Sequence, residues 1–197
     1  MRDSLYSQWI AEDVRHIVRD YVAHHSLTVP VPIYRLLHDE NIPVVEKPMP
    51  RTFKAGFFRS RQGNTIIVNS NLSPFEQRFA VSHEAIHGYL HAKHLVKGAY
   101  REHSYSDEME TEANTGAAEL LLPYAWFNER AHTVIADGLG SLVELDRFIA
   151  TAEARRWAAA AQVTTSVLRY HLIDLGWVGT MHAVSTPPII SRNAVTL

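Results

Sequence analysis

The 197-residue chain is 46% hydrophobic, carries a formal net charge of −2 at pH 7 and contains no cysteine. This apolar content suffices for one sizeable core, and the slightly acidic balance does not favour non-specific binding to nucleic acids. Without cysteine the chain forms no disulfides or thiolate metal sites, and because it shows no signal-peptide pattern and no run of roughly 20 apolar residues, we expect a cytoplasmic protein that does not enter a membrane.

The N-terminal part of the chain is expected to form two helices and an extended segment. Apolar residues recur at helical spacing over residues 4–24, which predicts an amphipathic helix. Pro32 suits the first turn of a second, short helix. Asn41 and Pro43 should end this helix, and Val44 then begins the extended segment.

Two runs rich in β-branched and aromatic residues come next. Residues 55–60 and 65–70 flank a turn-forming sequence at 61–64, which predicts a β-hairpin. Because the strands cluster early and the remaining segments have helical patterns, we expect an α+β fold and not a wound α/β sheet.

Two helices with polar clusters are predicted in the middle of the chain. Ser73 can cap the first of them, Pro74 fits its first position, and Glu76 completes a capping box. This helix should run to about His94. After a polar interval, the sequence EMETEANTGAAELLL predicts a second helix that stops at Pro123.

The C-terminal part is expected to be mainly helical. Residues 142–161 have the pattern of one helix and residues 164–176 that of another. Residues 124–142 are ambiguous, apart from a loop at 137–141. Residues 179–197 lack periodicity, and we expect them to form an extended or mobile tail.

The sequence HEAIHGYLH on the first of the two central helices is typical of a metal site. His83 and His87 lie one turn apart on one helical face and can converge on one ion. Glu84 points about 100° away around the helix, from where it can reach a metal-bound water and act as a general base. His91 lies a further turn along and is too distant to be a third ligand, so we expect it to pack or to support a ligand. The alternative is a helix with histidines on its surface.

A glutamate from the second central helix is the best candidate for the third ligand. Glu110 and Asn114 share a small, apolar helical face that can pack against the HExxH helix, where Asn114 could hydrogen-bond a ligating histidine. Glu112 is the alternative ligand, although Glu112 and Glu119 lie on another face and look solvated. Zinc is expected on precedent, but two histidines and a carboxylate also suit Mn²⁺ or Fe²⁺.

The run RFAVSHEAIHGYLH, followed by EMETEANTGAAELLLP, resembles the ImmA/IrrE family of bacterial metallopeptidases. The preceding predicted hairpin resembles that family as well, and the likeness covers roughly residues 10–178. It implies a gluzincin-like fold. It also implies ligand roles for His83, His87 and Glu110 and the general-base role for Glu84.

Two residues depart from the family pattern. The family often has glycine just before the second histidine, where this chain has Ile86, and phenylalanine before the Ala-Ala of the glutamate helix, where this chain has Gly116. Both positions bear on local packing and neither is a ligand.

The resemblance also implies a function. Family members typically cleave or inactivate a helix-turn-helix repressor encoded nearby, in response to DNA damage or mobile-element signals. We therefore expect a zinc-dependent endopeptidase of narrow specificity whose substrate is such a repressor, of the XRE type. The alternative is a non-catalytic, metal-stabilised module that binds and regulates the repressor.

The expected domain organisation follows the same resemblance. Residues 1–130 should form a zincin-like metallopeptidase domain, residues 131–178 a helical subdomain similar to a helix-turn-helix, and residues 179–197 the tail. The second helix of the subdomain offers only Arg169 and His171 as basic groups, with a further pair of arginines, Arg155 and Arg156, on the first. These basic groups are too few to form a strongly positive surface, so direct DNA binding is not expected.

Two details of substrate binding remain open in the sequence. Residues 65–70 lead into the HExxH helix, and an extended peptide could add to the edge of this strand through main-chain hydrogen bonds. On this hypothesis Ile67→Pro would lower cleavage without lowering zinc content. The oxyanion also needs a donor, and the sequence does not choose among Tyr100, His103, Tyr105 and His132.

Overall fold

A computed structural model describes the backbone of residues 3–91 and 105–179 and the side chains of residues 13–91 and 105–179. Within these ranges the fold is α+β, as predicted, with a three-stranded mixed sheet and eight α-helices. The predicted tail beyond residue 179 lies outside the described residues. The helices are α1 (Asp3–His24), α2 (Ile33–Asp39), α3 (Pro74–Ile86), α4 (Asp107–Leu121), α5 (Tyr124–Val134), α6 (Leu142–Ile149), α7 (Ala152–Ala161) and α8 (Thr165–Asp174).

The sheet consists of β1 (Val44–Lys47), β2 (Ala55–Ser60) and β3 (Gly63–Asn69), in the order β1-β3-β2. β3 pairs in parallel with β1 and antiparallel with β2. The predicted hairpin is therefore present, with a shorter turn than expected because β3 already begins at Gly63.

The central position of β3 contradicts the expectation that a substrate peptide could add to its edge. Ile67 is paired with Val45 on one side and with Gly56 on the other. Ile67→Pro would consequently disturb a central strand and the fold itself, and it does not test substrate binding.

Helix α3 begins with the predicted capping box and ends in an irregular turn. Ser73 accepts a hydrogen bond from the Glu76 amide, and the Glu76 carboxylate accepts one from the Ser73 amide at 2.8 Å. After Ile86 the helix continues as one π-helical turn, His87–His91. Single π turns of this kind are frequent at functional sites. The end predicted near His94 lies outside the described residues.

Gly88, within the π turn, allows close packing of this helix on the sheet. A Cβ atom at this position would overlap the ring of Phe57 on β2. Glycine therefore lets α3 and its π turn lie directly against β2.

Two apolar clusters form the core, and α4 contributes to both. The first joins α1–α3 and the sheet around residues such as Leu37, Ile66 and Val81. The second joins α5–α8 around residues such as Phe127 and Leu168. On α4, Ala113 and Leu120 belong to the first cluster, and Ala118 and Leu121 belong to the second.

The C-terminal helices differ from the prediction in one respect. The single helix expected over residues 142–161 is two helices, α6 and α7. Thr151 separates them, because its hydroxyl accepts a hydrogen bond from the Ala154 amide at 3.1 Å and caps α7. Threonine side chains favour such local bonds over the helix interior, and the alanine-rich pattern concealed the break. The ambiguous stretch before the loop forms α5.

His171 on α8 is fully buried, which contradicts its expected availability to a partner. Its ring nitrogens make no hydrogen bond of normal geometry with the described residues. Burial lowers the pKa of His171 to about 3; the charge of Arg15 acts in the same direction, and the backbone of Leu122 opposes both. The histidine is therefore neutral in the folded protein at neutral pH.

His171→Leu is expected to raise the free energy of unfolding, by about 1–3 kcal/mol, because it removes buried polar atoms that make no hydrogen bond of normal geometry with the described residues. The gain should grow as the pH falls below about 6.5, since the unfolded wild type then binds a proton that the folded state excludes. Urea unfolding at pH 7.5 and pH 5 measures both effects. His132→Leu, at an exposed position, is the control. An equal change at both pH values would show that protonation of His171 is not linked to folding.

Candidate metal centre

Three predicted ligands converge where α3 passes into its π turn and meets the first turn of α4. The Nε2 atoms of His83 and His87 are 3.0 Å apart. The Glu110 carboxylate lies 3.3 Å from Nε2 of His83 and 3.5 Å from Nε2 of His87. Ligand atoms bound at roughly 2.0–2.1 Å around a tetrahedral zinc lie about 3.4 Å from one another. The donor set and its spacing therefore fit a zinc ion.

The protonation states of these groups suit a cation. Burial, together with the neighbouring His83, lowers the pKa of His87 to about 3. A hydrogen bond with His83 keeps the pKa of the Glu110 carboxyl below its usual value. Both effects favour the forms that ligate metals, which are a neutral imidazole and an ionised carboxylate.

Asn114 supports His83 in the predicted way. Its Oδ1 lies 3.1 Å from Nδ1 of His83, and an amide oxygen can only accept a hydrogen bond. A neutral His83 that donates from Nδ1 to Asn114 presents the lone pair of Nε2 to a cation. Such bonds to the outer nitrogen fix the tautomer and the ring orientation of ligating histidines.

His91 and Glu112 support His87 in a similar way. Nε2 of His91 lies 2.6 Å from the Glu112 carboxylate, and Nδ1 of His91 lies 2.8 Å from Nδ1 of His87. When His91 donates to Glu112, its Nδ1 accepts from His87, which leaves Nε2 of His87 facing Glu110. The expectation that Glu112 is solvated was therefore wrong. His91 is buried, in a supporting position.

Glu119 was also expected to be solvated, and it is fully buried. Its carboxylate accepts hydrogen bonds from Arg19 on α1, at 3.0 Å, and from the Tyr124 amide, at 2.9 Å. The partner arginine is 100 residues away in the chain, so the helical pattern of α4 alone could not reveal it. Glu119 ties α1 to the junction of α4 and α5 and has no part in the metal cluster.

Glu84 lies on the wall of a cavity of about 290 Å³, which His83 and Glu110 also line. Its Oε2 accepts a hydrogen bond from the Phe57 amide at 2.8 Å. The side chain is held beside the cluster without belonging to the ligand set. This placement suits a general base.

Tyr105 is the one oxyanion candidate that the described part of the chain brings to the cavity. Its ring stacks on His87, with centroids 3.7 Å apart. Burial, together with Glu84 and Glu110, raises the pKa of Tyr105 to about 12. His132 instead packs on Trp177. The other two candidates, Tyr100 and His103, lie outside the described residues.

The two departures from the family pattern contact each other. A Cβ atom on Gly116 would lie 3.1 Å from three side-chain carbons of Ile86. A phenylalanine at position 116 would therefore collide with Ile86, whereas the glycine leaves room for it. The larger residue at 86 and the smaller residue at 116 compensate for each other, so the contact between α3 and α4 is kept.

A double-mutant cycle tests this compensation. Gly116→Phe should destabilise the protein by overpacking, and Ile86→Gly should destabilise it by leaving a cavity. The double variant should lose less stability than the sum of both, by about 1–3 kcal/mol. Denaturant unfolding of the four proteins gives this coupling energy. Gly116→Phe combined with Leu145→Ala, in the other cluster, should be additive, and additivity in the first pair would contradict the compensation.

A match to a known protein family is consistent with a metal centre at this place. The model of the IrrE N-terminal-like domain, Peptidase_M78, matches residues 38–172. The chain belongs to this family. Membership implies a metallopeptidase, and the matched region contains the three converging side chains and Glu84.

Individual proteins resemble parts of the chain. "Uncharacterized immunity region protein 2" of Bacillus phage phi105 is 40% identical over 70 residues, which are 34% of this chain and 44% of that protein. A Mycobacterium tuberculosis transcriptional regulator of known structure aligns with a TM-score of 0.55 and 13% identity, over 82% of this chain and 49% of the regulator. The second likeness supports the fold alone. The chain thus spans less than half the length of either protein.

No helix in the described part of the chain is both long and apolar enough to cross a membrane.

Proposed function

We propose that this protein is a zinc-dependent endopeptidase of narrow specificity with a gluzincin-like site. Its proposed substrate is a helix-turn-helix repressor of the XRE type, cleaved in a stress or mobile-element response. The observation that carries the proposal is the convergence of His83, His87 and Glu110 beside Glu84 on one cavity. Mn²⁺ or Fe²⁺ would suit the same donors, and zinc is favoured on precedent.

The chain's own side chains account for the proton transfers of peptide hydrolysis. When bound, zinc would supply a Lewis acid that polarises the scissile carbonyl and acidifies water. Glu84, held by the Phe57 amide, takes the proton of the attacking water and delivers it to the leaving amine. The Tyr105 hydroxyl stays protonated at neutral pH and donates a hydrogen bond to the developing oxyanion. No covalent intermediate is required.

Several features support a protein substrate and not DNA as the partner. The relative from phage phi105 is named as an immunity region protein, which supports a mobile-element setting. On the C-terminal helices, Arg169 pairs with Asp146 at 2.8 Å, and Arg155 donates to the Ala150 carbonyl at 2.7 Å. Arg156 pairs with a neighbouring glutamate. Arginines engaged in this way are less available for the phosphate contacts that dominate DNA binding.

Co-expression with the helix-turn-helix repressor encoded beside this gene tests the proposal. Intact-mass spectrometry of the repressor should show one specific cleavage with the wild type and none with Glu84→Gln. The fragment masses would also locate the cleaved bond. An intact repressor that co-purifies with both proteins would contradict the endopeptidase and favour a metal-stabilised binding module.

A further inference from the structure

A second cavity, of about 410 Å³, adjoins the candidate metal centre. It shares four lining residues with the cavity at the cluster: Lys54, Phe79, Ala80 and Asn114. Asn114 also contacts the His83 ring. The two cavities therefore form one cleft, which leads from the metal cluster along α3 to the N-terminal end of α8.

The floor of this second cavity is apolar. Phe79 and Ala80 of α3 face Val167 and Tyr170 of α8 across it, and Leu72 lines it as well. Val167 and Ala80 are buried, while the rings of Phe79 and Tyr170 are half-buried. The Tyr170 hydroxyl lies 3.2 Å from the Thr115 hydroxyl, so its polar end already has a partner on α4. The aromatic rings thus offer apolar surface at the bottom of the cleft.

The charged residues of the cavity are confined to its rim and have opposite signs. Lys54 and Glu76 are both exposed, and Lys54 lies close enough to help lower the pKa of the Glu76 carboxyl, after the larger effect of the Ser73 cap. A charged ligand side chain of either sign would meet one like and one opposite charge at the rim, and the apolar floor below would offer it no polar partner. This arrangement disfavours acidic and basic side chains.

We infer that this cavity is a substrate subsite for a large apolar side chain, such as that of leucine, methionine or phenylalanine, beside the cleaved bond. The inference rests on the proposed function, because the cavity is a substrate subsite only if the metal cluster at the other end of the cleft is catalytic. A cavity of this volume lies within the range of ligand pockets. Because its floor is apolar, a ligand with a leucine side chain at this position should bind about tenfold to a hundredfold more tightly than the same ligand with glycine.

The subsite also gives the C-terminal helices a role in the proposed reaction. Ser166, Val167 and Tyr170 of α8 form one wall of the cavity. Helix α8, the second helix of the expected helix-turn-helix-like subdomain, thus shapes the substrate cleft. A repressor would be recognised through an accessible segment with a large apolar residue at the cleavage point.

Binding of peptide hydroxamates to the zinc-loaded protein tests the inference. The probes differ only in the residue next to the hydroxamate, which is leucine, glycine, aspartate or lysine, and calorimetry gives each Kd. The leucine probe should bind at least about tenfold more tightly than the glycine probe. The aspartate and lysine probes should bind no more tightly than the glycine probe.

Variants of α8 locate the binding site of the leucine side chain. Ser166→Trp adds bulk at an exposed lining position, and Val167→Phe fills the floor. Both should reduce the leucine preference to less than about threefold while binding of the glycine probe is kept. Ile173→Trp, at an exposed position of the same helix outside the cavity, should leave the preference unchanged.

The outcomes separate the subsite from the proposed function. Equal affinities for leucine and glycine in the wild type, or an unaltered preference in both cavity variants, would overturn the subsite alone. A zinc-loaded protein that binds none of the hydroxamates would overturn the metal-centred function, and the subsite with it.

Discussion

Glu84→Gln is expected to slow peptide hydrolysis about 10²- to 10⁴-fold while zinc binding is kept. The glutamine can still accept the hydrogen bond from the Phe57 amide, so the side chain should stay at the cavity wall. It cannot take a proton from water, and general-base catalysis contributes a factor of this size. Single-turnover cleavage of the repressor segment, together with the zinc content of each protein, measures both parts of the prediction.

Glu108→Gln is the matched control for this variant. Glu108 is an exposed glutamate on α4, outside the ligand cluster, and its replacement removes the same charge without touching the site. Cleavage by Glu108→Gln should equal that of the wild type. A wild-type rate for Glu84→Gln would show that Glu84 is not the general base. A loss of zinc in this variant would assign Glu84 to metal binding.

His91→Leu is expected to weaken zinc binding about 10- to 100-fold, the usual effect of removing a partner of a ligating histidine. Leucine fills a similar volume, but it offers no acceptor for Nδ1 of His87, which lies 2.8 Å from His91. The tautomer of His87 that presents Nε2 to Glu110 would then no longer be favoured. Competition with a chelator at fixed pH gives the affinity.

Tyr89→Phe is the control for this second variant. Tyr89 lies in the same π turn, but its hydroxyl donates to Glu40, away from the cluster. Zinc affinity should therefore equal that of the wild type. An unchanged affinity in His91→Leu would show that the bond between the two histidines does not position His87.

Local sequence signals predicted much of the fold. The capping box at Ser73, the strand at 55–60 and the helix over residues 4–24 depend on neighbours in sequence, and each was found within a few residues of its expected bounds. The convergence of His83 and His87 follows from helical spacing. Glu110 was found beside them because the small face of α4 packs on α3, as its composition indicated.

The incorrect predictions concern contacts between distant segments. Glu119 was expected in solvent, and a helical pattern cannot show that Arg19 lies opposite it. His171 likewise is buried by packing among helices. The central place of β3 depends on its parallel pairing with β1. The sequence pattern of a hairpin gives no information on that pairing. Tyr105 could not be chosen in advance, since its contact with His87 depends on how the chain returns to the site.

The zinc content of the wild type and of Glu110→Gln tests the central claim most directly. Each protein would be loaded with zinc, dialysed against a weak chelator and measured by mass spectrometry of the metal. The account predicts about one zinc ion per chain in the wild type, and a large loss in Glu110→Gln, with Glu108→Gln unchanged. Full zinc retention in Glu110→Gln would contradict the assignment of His83, His87 and Glu110 as the metal centre.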